Sequence, residues 1–292
     1  MIGVDWGNTG FNAFRLSGDA IRERRASSRG IQSVQDGRFG DTLREEIGPW
    51  LAGGERHVLL SGAIGTRGGW MAPDLPCPAG PTEIAAGLVD VAFDWAEVKV
   101  VPALSCAASG AAEVTRAATL ILGALAQIGG HGLACVPGAH AIWARIEAGR
   151  IAGFATHLTG EAFAAWRAIA LPGRAPRDGP ASDRDAFDAG LDRSARPGGL
   201  LHHLSAVRAL ALSGQLADAA GASFLWGIMV GHEVRAALAE MAGSPMVYVI
   251  GAPELTAPYA RAIEAAGGMA ERLNGDAVAR GLALIGAAAR WG

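Results

Sequence analysis

Residues 3–9 read GVDWGNT, a short apolar segment that ends in an acid and is followed by small polar residues. The residues before the acid are apolar enough for a strand, and residues 11–16 alternate apolar and polar side chains like a second strand. The pattern predicts a β-hairpin with Asp5, Asn8 and Thr9 at its tip. Such a tip suits Mg²⁺ and a phosphate, because the acid can face the metal while turn N–H groups face the anion. The same residues are also ordinary for a turn without function.

Length and composition narrow the class of protein. The chain has 292 residues, enough for one large domain or for two domains of about 150 residues each. Hydrophobic residues make up 50% of the chain, so a large core can be buried. The net charge is only −3. The basic residues are scattered and form no block interleaved with aromatic residues. No nucleic-acid partner is therefore expected.

The cysteines and the apolar runs indicate a cellular compartment. Cys77, Cys106 and Cys135 match neither a metal spacing nor a disulfide framework, so a cytoplasmic protein is expected. No apolar run reaches the roughly 18 residues of a membrane span. No signal-like run precedes Asp5. A membrane partner is therefore not expected.

The order of predicted elements repeats along the chain. A strand, a turn and a hairpin occur near residue 2 and again near residue 133, where a strand at 132–136 precedes a hairpin at 141–156. Strands and helices alternate after each unit, including a helix predicted over Glu113–Gln127. Two α/β halves with a cleft between them explain this order most simply, because such sheets bind ligands at their strand ends.

Five stretches of the chain carry a resemblance to one enzyme family. They are Val4–Thr9, Ser61–Trp70, Val136–Trp143, Leu158–Glu161 and Ile250–Ala252 followed by Leu255–Tyr259. On these stretches the chain resembles the 2-dehydro-3-deoxygalactonokinases, which are sugar-acid kinases with an actin-like ATPase fold. The likeness runs from Val4 to about Ala288. No single stretch is specific, whereas five in the same order are.

The resemblance implies a fold, a reaction and its cofactors. The fold would be α/β, with two actin-like ATPase (ribonuclease H-like) lobes, 1–124 and 125–292, and a central cleft. The reaction would transfer the γ-phosphoryl group of ATP to the 6-hydroxyl of 2-dehydro-3-deoxy-D-galactonate, with Mg²⁺ as the metal cofactor. The partner would be this small sugar acid, and a homodimer stays open.

The resemblance also assigns residues to the nucleotide. Asp5 would be the metal ligand and a catalytic group, and the first turn would face the terminal phosphates. Other contacts would come from the second turn, the helix after it and an adenosine-binding turn, where small residues let the backbone approach the ligand. The implied nucleotide contacts are Gly7, Asn8, Thr9, Gly138, His140, Thr159, Gly160, Gly251 and Ala252.

A glycine-rich loop is the implied contact of the sugar acid, with Gly65, Thr66, Arg67 and Trp70 as its ligands. Arg67 can pair bidentately with a carboxylate, although an ordinary surface arginine has the same appearance in sequence. Trp70 can stack on the substrate, but the core is the favoured place for this aromatic ring.

Two polar residues of the second half have a functional and a structural interpretation. His140 either contacts phosphate or satisfies a backbone carbonyl. Glu161 either complements a helix dipole or binds metal or water opposite Asp5 as a catalytic group. The carbonyl interpretation is favoured for His140, because a lone histidine is more often used that way, whereas both interpretations of Glu161 stay open.

The chain departs from the family where a catalytic base is expected. The family pattern Arg-Gly-Glu-Glu-Thr-Gln is replaced by the residues 115–120, Thr-Arg-Ala-Ala-Thr-Leu. Alanine cannot accept a proton, and loss of a general base typically costs about 10²–10⁴ in rate. One hypothesis is a diverged kinase that uses Glu113 or a water as base. The other is a kinase fold with little or no activity, which senses nucleotide or sugar acid or acts as a scaffold.

Overall fold

The structure is a computed structural model that describes residues 1–108, 111–115, 117–170, 183–240, 246–273 and 276–292, with backbone only at 108, 111–114 and 170. The strands are β1 Ile2–Trp6, β2 Phe11–Ser17, β3 Ala20–Ser27, β4 His57–Gly62, β5 Asp74–Pro76, β6 Val89–Val91, β7 Glu97–Val100, β8 Ala103–Ala108, β9 Ala111–Thr115, β10 Gly132–Val136, β11 Ala141–Glu147, β12 Arg150–His157, β13 Met246–Ile250 and β14 Met269–Leu273. The helices are α1 Phe39–Ala52, α2 Pro81–Ala86, α3 Ala118–Leu122, α4 Leu125–Ile128, α5 Thr159–Ala170, α6 Arg184–Ser194, α7 Gly199–Leu212, α8 Gly221–Ala239, α9 Pro253–Ala265 and α10 Ala277–Ala288.

Packing divides the chain into two compact units. Unit 1 comprises Met1–Gly132, Ala144–Ala155 and Asn274–Gly292, and unit 2 comprises Leu133–Trp143 and Thr156–Leu273. The division differs from the single predicted boundary after residue 124, because α10 packs within unit 1. Glycines allow this packing: a Cβ atom at Gly123 would lie 1.7 Å from the carbonyl oxygen of Ala277, and one at Gly281 would lie 1.8 Å from that of Thr119.

Unit 1 is built on a six-stranded sheet of order β3-β2-β1-β4-β7-β6. β1 runs antiparallel to β2 and parallel to β4, with Asp5 beside Ser61 and Trp6 beside Gly62. β4 in turn runs parallel to β7. The carboxyl ends of β1, β4 and β7 therefore meet at one edge of the sheet, which is where such sheets bind ligands.

The core of unit 1 explains why α1 forms and where it lies. Its buried side chains include Leu43, Ile47 and Trp50, which recur at helical spacing on one face. These side chains pack in one cluster with Val4 and Leu60 of the central strands. The helix therefore covers one face of β1 and β4 and holds their ends in place.

Unit 2 contains most of the second sheet, whose order is β12-β11-β10-β13-β14. β13 runs parallel to both β10 and β14. The apolar helix α8 packs closely against α6, where a Cβ atom at Gly227 would lie 2.1 Å from the carbonyl oxygen of Phe187. Burial on nearly all sides explains why α8 lacks a polar face.

Several predicted elements are confirmed, and one helix is wrong at its start. β4, β10 and both hairpins occur where the sequence predicts them. Residues 111–115, however, form β9, which pairs antiparallel with β8, and α3 begins only at Ala118. The overlap with the predicted helix is residues 113–115, where Val114 and Thr115 are β-branched residues that favour a strand once β8 offers a partner.

Among the described residues, none of the helices combines the length and apolar character that a membrane span requires.

Candidate functional site

The first hairpin ends in a turn at Gly7–Gly10 that is fixed by a distant segment. The N–H group of Gly7 donates to the carbonyl of Gly10 at 2.8 Å. Ile31 and Gln32 donate their N–H groups to the carbonyls of Gly7 and Asn8, at 3.0 and 3.1 Å. A Cβ atom at Gly30 would lie 2.2 Å from the oxygen of Asn8, so only glycine permits this approach.

This turn presents unused donors to solvent. Asn8 and Thr9 are exposed, and within the described ranges their backbone N–H groups donate to no protein acceptor. The carbonyl of Asn8, in contrast, is occupied by Gln32. A turn whose N–H groups face outward while a carbonyl is held inward is suited to an anion such as phosphate.

Asp5 lies beside this turn, near the end of β1. Its carboxylate is close to Gly62 at the end of β4, where a Cβ atom would lie 2.8 Å from Asp5 Oδ1. Gly62 also has a φ of 92°, which favours glycine. Burial raises the pKa of Asp5 from 3.8 to about 6. In the part of the chain that the structure describes, no hydrogen bond or ion pair compensates this carboxylate.

The donor set fits a magnesium ion held mainly by a bound phosphate. The described residues contain no group of three or more His, Cys, Asp or Glu side chains that could hold a metal. Asp5 offers a carboxylate without a partner among the described residues, next to an anion-binding turn. Mg²⁺ is commonly bound by one or two carboxylates together with substrate phosphates and waters.

Replacing Asp5 by asparagine is expected to stabilise the metal-free protein at pH 8. A carboxylate whose pKa is raised from 3.8 to about 6 on folding destabilises the folded state when it is ionised, and this cost disappears as the pH falls through that range. The expected gain in the free energy of unfolding is at most about 3 kcal/mol at pH 8 and close to zero near pH 4. Urea unfolding in EDTA measures both values.

The exposed turn residue Asp19 supplies the control for this comparison, since Asp19→Asn removes a carboxylate that is already solvated. A loss of stability in Asp5→Asn at pH 8 would show that Asp5 has a structural partner.

The loop after β4 follows the same edge of the sheet. It contains a short 3₁₀ turn at Ala63–Gly65, and the Thr66 hydroxyl accepts a hydrogen bond from the N–H group of Gly68 at 3.1 Å. Arg67 is exposed and forms no ion pair with any described residue. The loop thus carries an exposed guanidinium, and it follows β4, the strand that pairs with the Asp5 strand β1.

Trp70 closes part of the unit 1 core. Its ring stacks on Phe39 at 6.3 Å and meets Phe93 edge-on at 6.4 Å, measured between ring centroids. The backbone N–H group of Trp70 donates to the carbonyl of Ile64 at 2.9 Å. The favoured structural interpretation of this tryptophan is confirmed, and its contact with substrate stays a prediction.

The second turn, Pro137–His140, brings together predicted residues of unit 2. A Cβ atom at Gly160 would lie 2.3 Å from the oxygen of Gly138, so the start of α5 packs directly on the turn. The N–H group of Glu161 donates to the carbonyl of Ala139 at 3.0 Å. His140 Nε2 and Glu161 Oε2 are 2.7 Å apart, and both side chains are exposed. The carboxylate can fix the tautomer of the imidazole ring.

The predicted adenosine turn also lies in unit 2. β13 ends at Ile250, Gly251 follows with a φ of 150°, and Ala252 is the N-cap of α9. Gly251 adopts a backbone conformation that favours glycine. The strand, turn and helix occur in the predicted order.

The predicted base is only partly described. Residue 113 lies in β9 rather than on a helix, and its side chain lies outside the described residues. Ala118 is fully buried in α3. A glutamate at position 118 would lose its hydration, which is costly without a partner. The small alanine at position 118, where the family has a glutamate, therefore fits its buried surroundings.

Sequence reasoning missed three residues that shape these sites. Gly30 and Gly62 give no signal of their own, because the backbones that they approach are distant in sequence. Glu233 is buried at 4% exposure in α8. An acid within an otherwise apolar helix is a signal that could have identified it.

The chain matches a known protein family along nearly its whole length. Residues 5–285 match the family model described as 2-keto-3-deoxy-galactonokinase. The chain is 29% identical over 279 residues to the 2-dehydro-3-deoxygalactonokinase of Escherichia coli (strain K12), across 94% of this chain and 93% of that protein.

Solved structures show the same fold. A protein from Sinorhizobium meliloti that carries the provisional name 2-dehydro-3-deoxygalactonokinase has a TM-score of 0.86 and 26% identity, across 98% of this chain and 97% of its own. A provisionally named N-acetylglucosamine kinase from Porphyromonas gingivalis has a TM-score of 0.50 and 13% identity, across 98% of both chains, and shows the fold alone. The predicted actin-like ATPase fold is confirmed.

Proposed function

Because the chain belongs to the 2-keto-3-deoxy-galactonokinase family and is a sugar-acid kinase, we propose that it transfers the γ-phosphoryl group of ATP to the 6-hydroxyl of 2-dehydro-3-deoxy-D-galactonate. The observation that carries this proposal is the first turn of unit 1. There the carboxylate of Asp5 and the nearby backbone N–H groups of Asn8 and Thr9 have no hydrogen-bond partner among the described residues. An acid and an anion-binding turn are the two parts that a metal-bound phosphate requires.

Unit 1 carries the groups that we assign to the reacting atoms. Asp5 is the proposed ligand of Mg²⁺, which when bound neutralises phosphate charge. The N–H groups of Asn8 and Thr9 hold the terminal phosphates, and Gly7 keeps their turn narrow. These groups orient the phosphate without taking part in covalent chemistry, as is usual for phosphoryl transfer.

The loop after β4 is the proposed site for the sugar acid. Arg67 binds the carboxylate, because its guanidinium has no ion-pair partner among the described residues. Gly65 and Thr66 shape the backbone around it, and Trp70 supplies an apolar wall.

Unit 2 carries the groups that we assign to the rest of the nucleotide. Gly138 of the second turn, together with Thr159 and Gly160 at the start of α5, supplies the proposed backbone contacts of the phosphate groups. His140 is the proposed phosphate contact, and Glu161 fixes its orientation through their hydrogen bond. Gly251 and Ala252 lie at the start of α9, where little side-chain bulk hinders an adenosine group.

The proton of the 6-hydroxyl needs an acceptor. Ala117 and Ala118 stand where the family has glutamates, and alanine cannot take up a proton. We propose that Glu113 or a water takes this proton. The family change at these two positions also favours a second candidate function, an impaired kinase that binds nucleotide or sugar acid as a sensor. Loss of the base, with retention of Asp5 and both turns, is what such a sensor would show.

Product analysis tests the substrate assignment. The protein is incubated with Mg-ATP and 2-dehydro-3-deoxygalactonate or its gluconate-configured epimer, and the product is identified by ³¹P–¹H correlation NMR. The proposal expects a phosphate ester at carbon 6 and preference for the galactonate isomer. A preference for the epimer would overturn the substrate, and binding without any ester would favour the sensor.

A further inference from the structure

Glu233 is a buried carboxylate in unit 2 that the proposed chemistry does not use. It lies in α8 and is 4% exposed. Its Oε1 accepts a hydrogen bond from Trp143 Nε1 and its Oε2 accepts one from the Tyr259 hydroxyl, both at 2.7 Å. The hydroxyl of Thr159 is a third partner of the same carboxylate.

The three partners of Glu233 come from three separate elements. Trp143 lies in β11, which begins directly after the second turn. Thr159 is the first residue of α5 and precedes Gly160, the glycine that packs on this turn. Tyr259 lies in α9, which begins after Gly251 and Ala252. Each element therefore adjoins backbone that we assign to the nucleotide.

We propose that Glu233 is a positioning residue for nucleotide binding, whose carboxylate holds the second turn, the start of α5 and helix α9 in one fixed arrangement. This inference rests on the proposed function. It adds a residue that touches no ligand and acts only through Trp143, Thr159 and Tyr259.

The chemistry of these groups explains why a carboxylate is needed. The indole N–H group can only donate a hydrogen bond, so Trp143 requires an acceptor in the core. No cation forms a salt bridge with Glu233 in the described ranges. Burial raises the pKa of Glu233, while its three hydrogen-bonding partners act in the opposite direction. A satisfied polar network of this kind specifies one arrangement of the elements that it joins.

The Glu233→Gln variant removes one acceptor and preserves the shape of the side chain. The amide keeps one oxygen and presents an NH₂ group to a donor, so one hydrogen bond is lost. We expect roughly tenfold weaker binding of Mg-ADP by titration calorimetry. Binding of 2-dehydro-3-deoxygalactonate, which we assign to unit 1, is expected to be unchanged.

Glu46 provides the matched control. It is likewise a buried helix glutamate, 5% exposed. In unit 1 it accepts a hydrogen bond from the Ser27 hydroxyl at 3.1 Å, and unlike Glu233 it also forms ion pairs with Arg25 and Arg29 at 3.4 and 3.6 Å. Glu46→Gln is expected to lower the melting temperature without changing the Kd for Mg-ADP. This contrast separates a positioning role from a general loss of stability.

A second variant covers the case in which Glu233→Gln does not fold. Tyr259→Phe removes a single donor and is expected to weaken Mg-ADP binding several-fold. If every folded variant of Glu233→Gln and Tyr259→Phe bound Mg-ADP with wild-type affinity, the positioning role would be overturned and the proposed function would not be affected. Failure of the folded wild-type protein to bind Mg-ADP would overturn the proposed function, and the positioning role with it.

Discussion

Asp5→Asn is expected to lower kcat for ADP release from Mg-ATP in the presence of sugar acid by at least about a hundredfold, because metal-assisted charge neutralisation contributes several kcal/mol to such transfers. Asparagine keeps the size of the side chain but removes the charge that would attract Mg²⁺. The first turn should keep its form, since Gly30 and Ile31 hold it and Asp5 does not.

Steady-state kinetics with a coupled ADP assay measure this effect, and circular dichroism confirms that the variant is folded. Asp19→Asn, on the exposed turn between β2 and β3, is the matched control and should keep wild-type kcat. Retention of wild-type kcat in a folded Asp5→Asn variant would remove Asp5 from the site.

Arg67→Ala is expected to raise the KM for the sugar acid about 10- to 100-fold, the range expected for losing a charged hydrogen-bonding pair. The KM for ATP should change little, because Arg67 is assigned to the substrate carboxylate. Arg67→Lys distinguishes geometry from charge: lysine supplies a point charge without the planar fork and should recover only part of the affinity.

An exposed arginine in a helix of unit 2, Arg208, provides the control for this substitution. Arg208→Ala should leave both KM values unchanged. Equal increases in the two KM values of Arg67→Ala would mean that the arginine supports the loop rather than the sugar acid.

The fold was predictable where a strand is a short apolar run, or alternates apolar and polar residues, and ends in turn residues. β1, β4 and β10 are short apolar runs, and the hairpin of β11 and β12 turns at Ala148 and Gly149, both with positive φ. β3 was not predicted, because it is an edge strand with mostly exposed, charged residues and so lacks alternation. Residues 113–115 of β9 were predicted as the start of the alanine-rich helix that follows them, because their pairing with β8 leaves no signal in the local sequence.

The candidate site was predictable as residue types and not as contacts. Asp5, Asn8 and Thr9 stand together in sequence, so a single turn brings them together. The contact of Gly30 with this turn, and the three partners of Glu233, depend on segments far apart in the chain. Tertiary packing creates such contacts, and no local pattern encodes them.

Phosphoryl transfer is the central proposal for this chain, in which Ala117 and Ala118 stand where the family has glutamates. The most direct test is ADP release by the purified protein with Mg-ATP and 2-dehydro-3-deoxygalactonate, measured beside Asp5→Asn. The expected result is turnover that depends on the sugar acid and exceeds that of the variant. A wild-type rate no higher than that of Asp5→Asn, in protein that still binds Mg-ADP by calorimetry, would contradict this proposal. Such a result would identify a nucleotide-binding protein with a kinase fold.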